Sequence, residues 1–147
     1  MKELGITHLL CVATSFRFPS DESFVFLHQP LADDGTTALC TILENCFEFL
    51  DRVKSIQGQT LVFCRQAQNR SPTVVIAYLM KSCGMNLRAA YSMVHSLRPE
   101  ISPHASYFEQ LQRLDQSLFG NVSLTEKERG GSVQGFIMEM WRTRTSL

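Results

Sequence analysis

Apolar and polar positions along the 147 residues change their period several times, and each change marks an element. Thr7-His8-Leu9-Leu10-Cys11-Val12-Ala13 and Phe24-Val25-Phe26-Leu27 are short apolar runs of strand type. Gly5 before the first is a helix-ending residue, and a polar loop broken at Pro19 separates the two. Ala32-Asp33-Asp34-Gly35 has turn chemistry. From Thr37 to Ile56 the apolar positions Leu39, Ile42, Leu43, Cys46, Phe47, Leu50 and Val53 keep helical spacing. Gly58 stops that helix ahead of a third strand, Thr60 to Phe63. Three further helices are expected: Pro72 to about Ser82, Leu87 to Arg98 with Asn86 as N-cap, and Pro103 to about Phe119. Strands alternating with helices, then helices alone, predict an α/β fold with parallel strand pairs and helices packed on the sheet faces.

The composition shifts after Gly120, to Asn121-Val122-Ser123-Leu124-Thr125 and then Glu126 to Gly131. This divides the chain into one domain over residues 1–119 and a linker or flexible tail over 120–147. Phe136 to Trp141 has the makings of a short interaction helix within that tail. With 44% hydrophobic residues the domain can bury a core. Fourteen basic and fourteen acidic residues cancel, so charge offers no reason to expect nucleic acid or a membrane surface as partner. No apolar run reaches the roughly 18 residues of a membrane span, and the N-terminus lacks a signal-peptide core. Cys11, Cys40, Cys46, Cys64 and Cys83 are odd in number and scattered, which points away from a disulfide scaffold and toward a reducing compartment, the cytoplasm or nucleus. The histidines have no ligand spacing, and neither a metal nor another cofactor is expected.

The chemistry concentrates at Leu61-Val62-Phe63-Cys64-Arg65-Gln66-Ala67-Gln68-Asn69-Arg70-Ser71-Pro72. A strand runs into a cysteine, five residues follow, then an arginine, then a Ser-Pro that opens a helix. A loop of this length can curl its backbone N–H groups around a tetrahedral anion, while the helix supplies the positive end of its dipole. Arg70 presents a planar fork to two phosphate oxygens. The same dipoles favour thiolate over thiol at Cys64. The segment therefore reads as a site for phosphate-ester cleavage through a cysteinyl-phosphate, with the loop residues Arg65, Gln66, Ala67, Gln68, Asn69 and Arg70 around the phosphate.

From Leu4 to Phe119 the chain resembles the small, atypical dual-specificity phosphatases of the cysteine-dependent protein tyrosine phosphatase superfamily. Leu4 to Leu10, His28 to Asp33, Leu61 to Pro72, Ala77 to Met80, Ala89 to Val94, and Arg98 to Pro103 with Phe108 and Leu111 carry the likeness. The resemblance implies a twisted, mostly parallel central sheet between helices, a three-layer αβα fold lacking the family's first strand and helix. It implies Cys64 as nucleophile, Arg70 as the phosphoryl-binding cation, and Ser71 as the hydroxyl that steadies the departing thiolate. Asp33 falls where the family carries its general acid, with Asp34 beside it as the substitute candidate. The implied substrate is a phosphoprotein bearing phosphotyrosine or phosphoserine/phosphothreonine.

Three loop positions depart from the family. Phe63 replaces a histidine that helps order the loop and lower the thiol pKa. Ala67 replaces a glycine, which costs about 1 kcal/mol if φ there is positive. Asn69 replaces a small hydroxyl residue, a minor change because its amide still hydrogen-bonds. These departures open a second reading, a pseudophosphatase that binds phosphoproteins without efficient turnover. The C-terminal Thr145-Ser146-Leu147 also fits a weak PDZ-domain ligand.

Overall fold

A computed structural model describes residues 2–18, 20 and 23–130. The expected strands form as β1 (His8–Cys11), β2 (Val25–His28) and β3 (Thr60–Phe63), joined in one parallel sheet of order β2-β1-β3. Leu10 pairs with Leu27 on one side and Val62 on the other; Cys11 pairs with His28 and Phe63. The central strand is apolar at consecutive positions because both its faces are covered, and Leu9, Leu10 and Cys11 are buried.

Helices α1 (Leu43–Ser55), α2 (Arg70–Cys83), α3 (Leu87–Leu97), α4 (Ala105–Phe119) and the short α5 (Glu126–Arg129) complete the α/β fold. Alternation of side chains along a strand divides the sheet into two environments. Leu10, with Leu27 and Val62 beside it, joins a core that includes Phe47 and Leu50 of α1, Ile76 and Met80 of α2, and Phe108 and Leu111 of α4. Each large side chain fully buried there contributes roughly 1.5–3 kcal/mol. The other face is aromatic: Phe16 packs on Phe63 and Phe18, and Phe18 on Phe26 and His28. A loop that reads as merely polar thus lays two phenylalanines over the sheet.

The expected helix boundaries shift where side chains compete with the helix ladder. Residues 37 and 38 stay outside α1, since the Thr37 hydroxyl accepts from Ala32 N–H and its carbonyl accepts from Gln110 Nε2. A 3₁₀ turn, Leu39–Thr41, precedes the helix. Pro103 stays outside α4 because residues 102–104 turn back to the phosphate loop, leaving His104 as N-cap. Asn86 caps α3 as expected, accepting from Ala89 N–H.

The reading of residues 120–147 as linker or tail needs correction over 121–129. Leu124 is fully buried in the core, and buried Asp115 of α4 accepts from the backbone N–H and hydroxyl of Ser123. Arg88 donates to Ser123 O and Glu128, and Arg129 lies over the Phe108 ring and donates to Pro103 O. The polar composition suggested a tail because these bonds consume the polar groups. Phe136 to Trp141 and Thr145 to Leu147 lie outside the described residues. Among the described residues no helix is long and apolar enough to cross a membrane.

Candidate active site

Cys64 follows the last residue of β3, at the carboxyl end of the parallel strands, where an open α/β sheet leaves room for a ligand. The loop then runs to Arg70, the first residue of α2, so the free N–H groups of that helix open onto the loop. The Cys64 sulfur is 3.3 Å from Ser71 Oγ. Burial alone would push its thiol up. The Ser71 hydroxyl and the N–H groups of Ser71, Ala67 and Gln66 outweigh that effect, and the thiol sits below its ordinary value. The depression persists with Phe63 in the histidine's place, because its sources are the hydroxyl and the loop itself.

Arg70 is buried and its Nη1 donates to Leu31 O at 3.4 Å. Its Nε lies 3.1 Å from Asp33 Oδ1. This is a charge contact rather than an aligned hydrogen bond, since Nε has no hydrogen-bond partner among the described residues. The structure thus brings Cys64, Arg70, Ser71 and Asp33 to one cradle. Asp34 turns away into its own turn, where the Thr36 hydroxyl and N–H bond its carboxylate at 2.6 Å and 3.1 Å. Those bonds hold the Asp34 carboxyl below the usual range. Of the remaining loop residues, Arg65, Gln66 and Gln68 expose their side chains, and the Gln68 carbonyl accepts from Ser102 N–H at 2.7 Å.

Ala67 has φ 54°, the left-handed conformation in which a glycine would be unstrained. Asn69 proves more consequential than its sequence suggests. Its Nδ2 donates to both the backbone carbonyl and Oδ1 of Asp33, each at 2.9 Å, while its Oδ1 accepts from His104 N–H at 2.7 Å. One amide thereby ties the acidic loop, the phosphate loop and the approach to α4 together. Helix α4 fastens the acidic loop from behind: Tyr107 Oη donates to Ala32 O, and Ser106 Oγ to Gly35 O. Gly35, at φ 79°, admits no side chain, because a Cβ would fall 2.2 Å from His104 Nδ1.

Sequence reasoning missed Arg98, whose guanidinium donates to Ala67 O at 3.0 Å and Gln66 O at 3.2 Å. The Arg98-Pro99 stretch was visible, but a contact across some thirty residues leaves no local signal. The set can hold a tetrahedral oxyanion at Arg70 and the loop N–H groups, present a thiolate to its centre, and place a carboxyl beside it.

Comparison with known proteins identifies the family. The family described as "Dual specificity phosphatase, catalytic domain" matches residues 1–117. Dual specificity protein phosphatase 1 of Arabidopsis thaliana is 39% identical over 118 residues, which make up 80% of this chain and 60% of that protein. A mouse dual specificity phosphatase, solved in complex with zinc tungstate, superimposes with a TM-score of 0.75 at 32% identity, over 81% of this chain and 75% of that one. The human tyrosine phosphatase-like serine/threonine/tyrosine-interacting protein gives 0.72 at 29% identity, over 79% and 80% of the two chains. With the family matched over residues 1–117, most of its length, the chain belongs to the dual specificity phosphatases.

Proposed function

We propose that the protein hydrolyses phosphotyrosine and phosphoserine/phosphothreonine esters of proteins through a cysteinyl-phosphate on Cys64. The observation that carries this reading is the cradle in which Cys64, Ser71, Arg70 and Asp33 converge. A phosphoryl dianion draws Arg70 from its contact with Asp33 and settles on the guanidinium and loop N–H groups. The Cys64 thiolate attacks phosphorus and a P–S bond forms as the P–O bond to the leaving group breaks. The Asp33 carboxylic acid gives its proton to that oxygen. Water then attacks phosphorus, the Asp33 carboxylate takes its proton, and the P–S bond breaks. Phosphate leaves, and the restored thiolate accepts a hydrogen bond from Ser71 Oγ. Asp33 rather than Asp34 serves as acid in this scheme because the Thr36 turn engages the Asp34 carboxylate. The unpaired cysteines support a reducing compartment such as the cytoplasm.

Hydrolysis of a fluorogenic aryl phosphate, scanned over pH with Cys64→Ser alongside, tests the scheme. Activity should vanish in the variant. Because the Cys64 thiol is depressed, the acidic limb of kcat/KM should fall below the ordinary thiol range. Equal activity in Cys64→Ser would rule the mechanism out.

The left-handed Ala67 favours a second reading, phosphoprotein binding without efficient turnover. A structural neighbour is named as phosphatase-like and interacting rather than as a phosphatase. Phosphopeptide binding that is lost in Arg70→Met, with no hydrolysis by folded protein, would establish this reading in place of the first.

A further inference from the structure

The loop holds its shape despite a non-glycine residue at its left-handed corner, and it lowers the thiol with no histidine before the cysteine. Both facts lead to Arg98. Its Nε and Nη2 donate to the carbonyls of Ala67 and Gln66, which are the two peptide oxygens on either side of the Ala67 backbone. We propose that Arg98 is a positioning residue of the phosphate loop, a fork that locks Ala67 in its left-handed conformation and keeps the inward N–H groups of residues 67 and 68 aimed at the space over the Cys64 sulfur where a phosphoryl group would sit.

The argument rests on the planarity of the peptide unit. In a trans peptide the N–H points opposite to the C=O, so fixing one fixes the other. With Gln66 O held outward by Arg98, the N–H of Ala67 points inward, and it is one of the groups that stabilise the Cys64 thiolate. With Ala67 O held outward, the N–H of Gln68 points inward as well. A charged donor on the carbonyl also polarises the peptide, which strengthens its N–H as a donor at the other end. Glycine would adopt this corner unaided, whereas alanine costs about 1 kcal/mol and invites the peptide to turn over. A fork spanning both flanking carbonyls opposes that turn in a way that a single-point cation does not.

Arg65, directly after Cys64, exposes its side chain to solvent. Arg70 closes the same loop at the start of α2 and pairs with Asp33. Cys11 lies behind on β1, close enough to feel both Cys64 and Arg70, and burial pushes its own thiol up. Among these groups Arg98 is the one whose guanidinium donates to the carbonyls of Gln66 and Ala67.

This inference depends on Cys64 being the reactive thiol of the site, and its test is independent of turnover. Folded protein is alkylated with iodoacetamide across a pH series, and the rate at Cys64 is followed by mass spectrometry of its peptide, which separates it from the exposed Cys40 and Cys83. In Arg98→Gln the midpoint should rise by roughly half a unit to one unit. Arg98→Lys, which keeps the charge but not the fork, should fall between. In an Ala67→Gly background the rise caused by Arg98→Gln should be smaller, because glycine needs less support. An unchanged midpoint in folded Arg98→Gln would overturn the proposal, as would an Arg98→Lys midpoint equal to the parent. Should Arg98→Gln fail to fold, the lysine variant alone decides. Failure to hydrolyse any phosphate ester alongside a shifted midpoint would overturn the hydrolase reading and leave the role of Arg98 standing.

Discussion

At Ala67 the chain accepts backbone strain inside its functional loop, and the consequence can be measured apart from activity. The left-handed φ of 54° is allowed to glycine without cost. Ala67→Gly should therefore stabilise the fold by about 1 kcal/mol, read as a higher urea midpoint with an unchanged m-value. Unchanged or lower stability would mean that the loop relaxes elsewhere. Asn69 invites a different experiment. Its amide holds both the carbonyl and the carboxylate of Asp33, so Asn69→Ala should blur the placement of the acid without touching the nucleophile. The loss should fall on substrates with poor leaving groups: roughly tenfold for phenyl phosphate, and little for an activated aryl phosphate. An equal loss on both would refute a role through Asp33. At this scale the sequence disclosed the loop cysteine, the arginine and the strained position, since spacing and residue type are local. It did not disclose Asn69 as a clamp or Arg98 as a fork, because both act on segments some thirty residues away.

The elements show why α5 and the residues before it belong to the domain. Leu124 fills the core beside α3 and α4, so Leu124→Ala should cost roughly 2–5 kcal/mol, a large share of the stability of such a domain. Thermal or urea unfolding would show it, and a loss below about 1 kcal/mol would return this segment to the status of a loose tail. Glu128 makes the same strap sensitive to acid. The backbone N–H and hydroxyl of Thr125, with the Arg88 guanidinium, hold its carboxyl at about 2 against an ordinary 4.5. A depressed carboxyl stabilises the folded form above its unfolded value and loses that contribution as pH falls from 4.5 through about 2. Amide-exchange protection, relative to the intrinsic rate at each pH, should fall across residues 121–129 in that window before the rest of the domain, and Glu128→Gln should remove the dependence. The capping box was present in the sequence as Thr125 and Glu128, yet a four-residue helix has too little periodicity to stand out from a polar stretch.

Across the whole molecule the strand and helix order was legible, because apolar runs and helical spacing are written residue by residue. The aromatic layer over the sheet was not. Phe16 and Phe18 sit in a loop without period, and only the fold brings them against Phe26 and Phe63. The same is true of the cradle as a mechanical unit. Leu31 and Asp33, Gln66 to Arg70, and residues 98 to 104 belong to three segments, and the bonds of Arg70, Asn69, Arg98 and Ser102 join them. A tetrahedral oxyanion on Arg70 and the loop should therefore stabilise the entire domain, since it binds only when all three segments are in place. At a vanadate concentration 100 times Kd the linkage contributes about 2.7 kcal/mol, or roughly 5–10 °C in Tm for a domain of this size. Arg70→Met should abolish the shift. Cys64→Ser should retain part of it, because the guanidinium and the N–H groups remain. A shift that survives Arg70→Met would place the anion elsewhere, whereas a shift in the parent without any hydrolysis would identify a cradle that binds phosphate and does not turn it over.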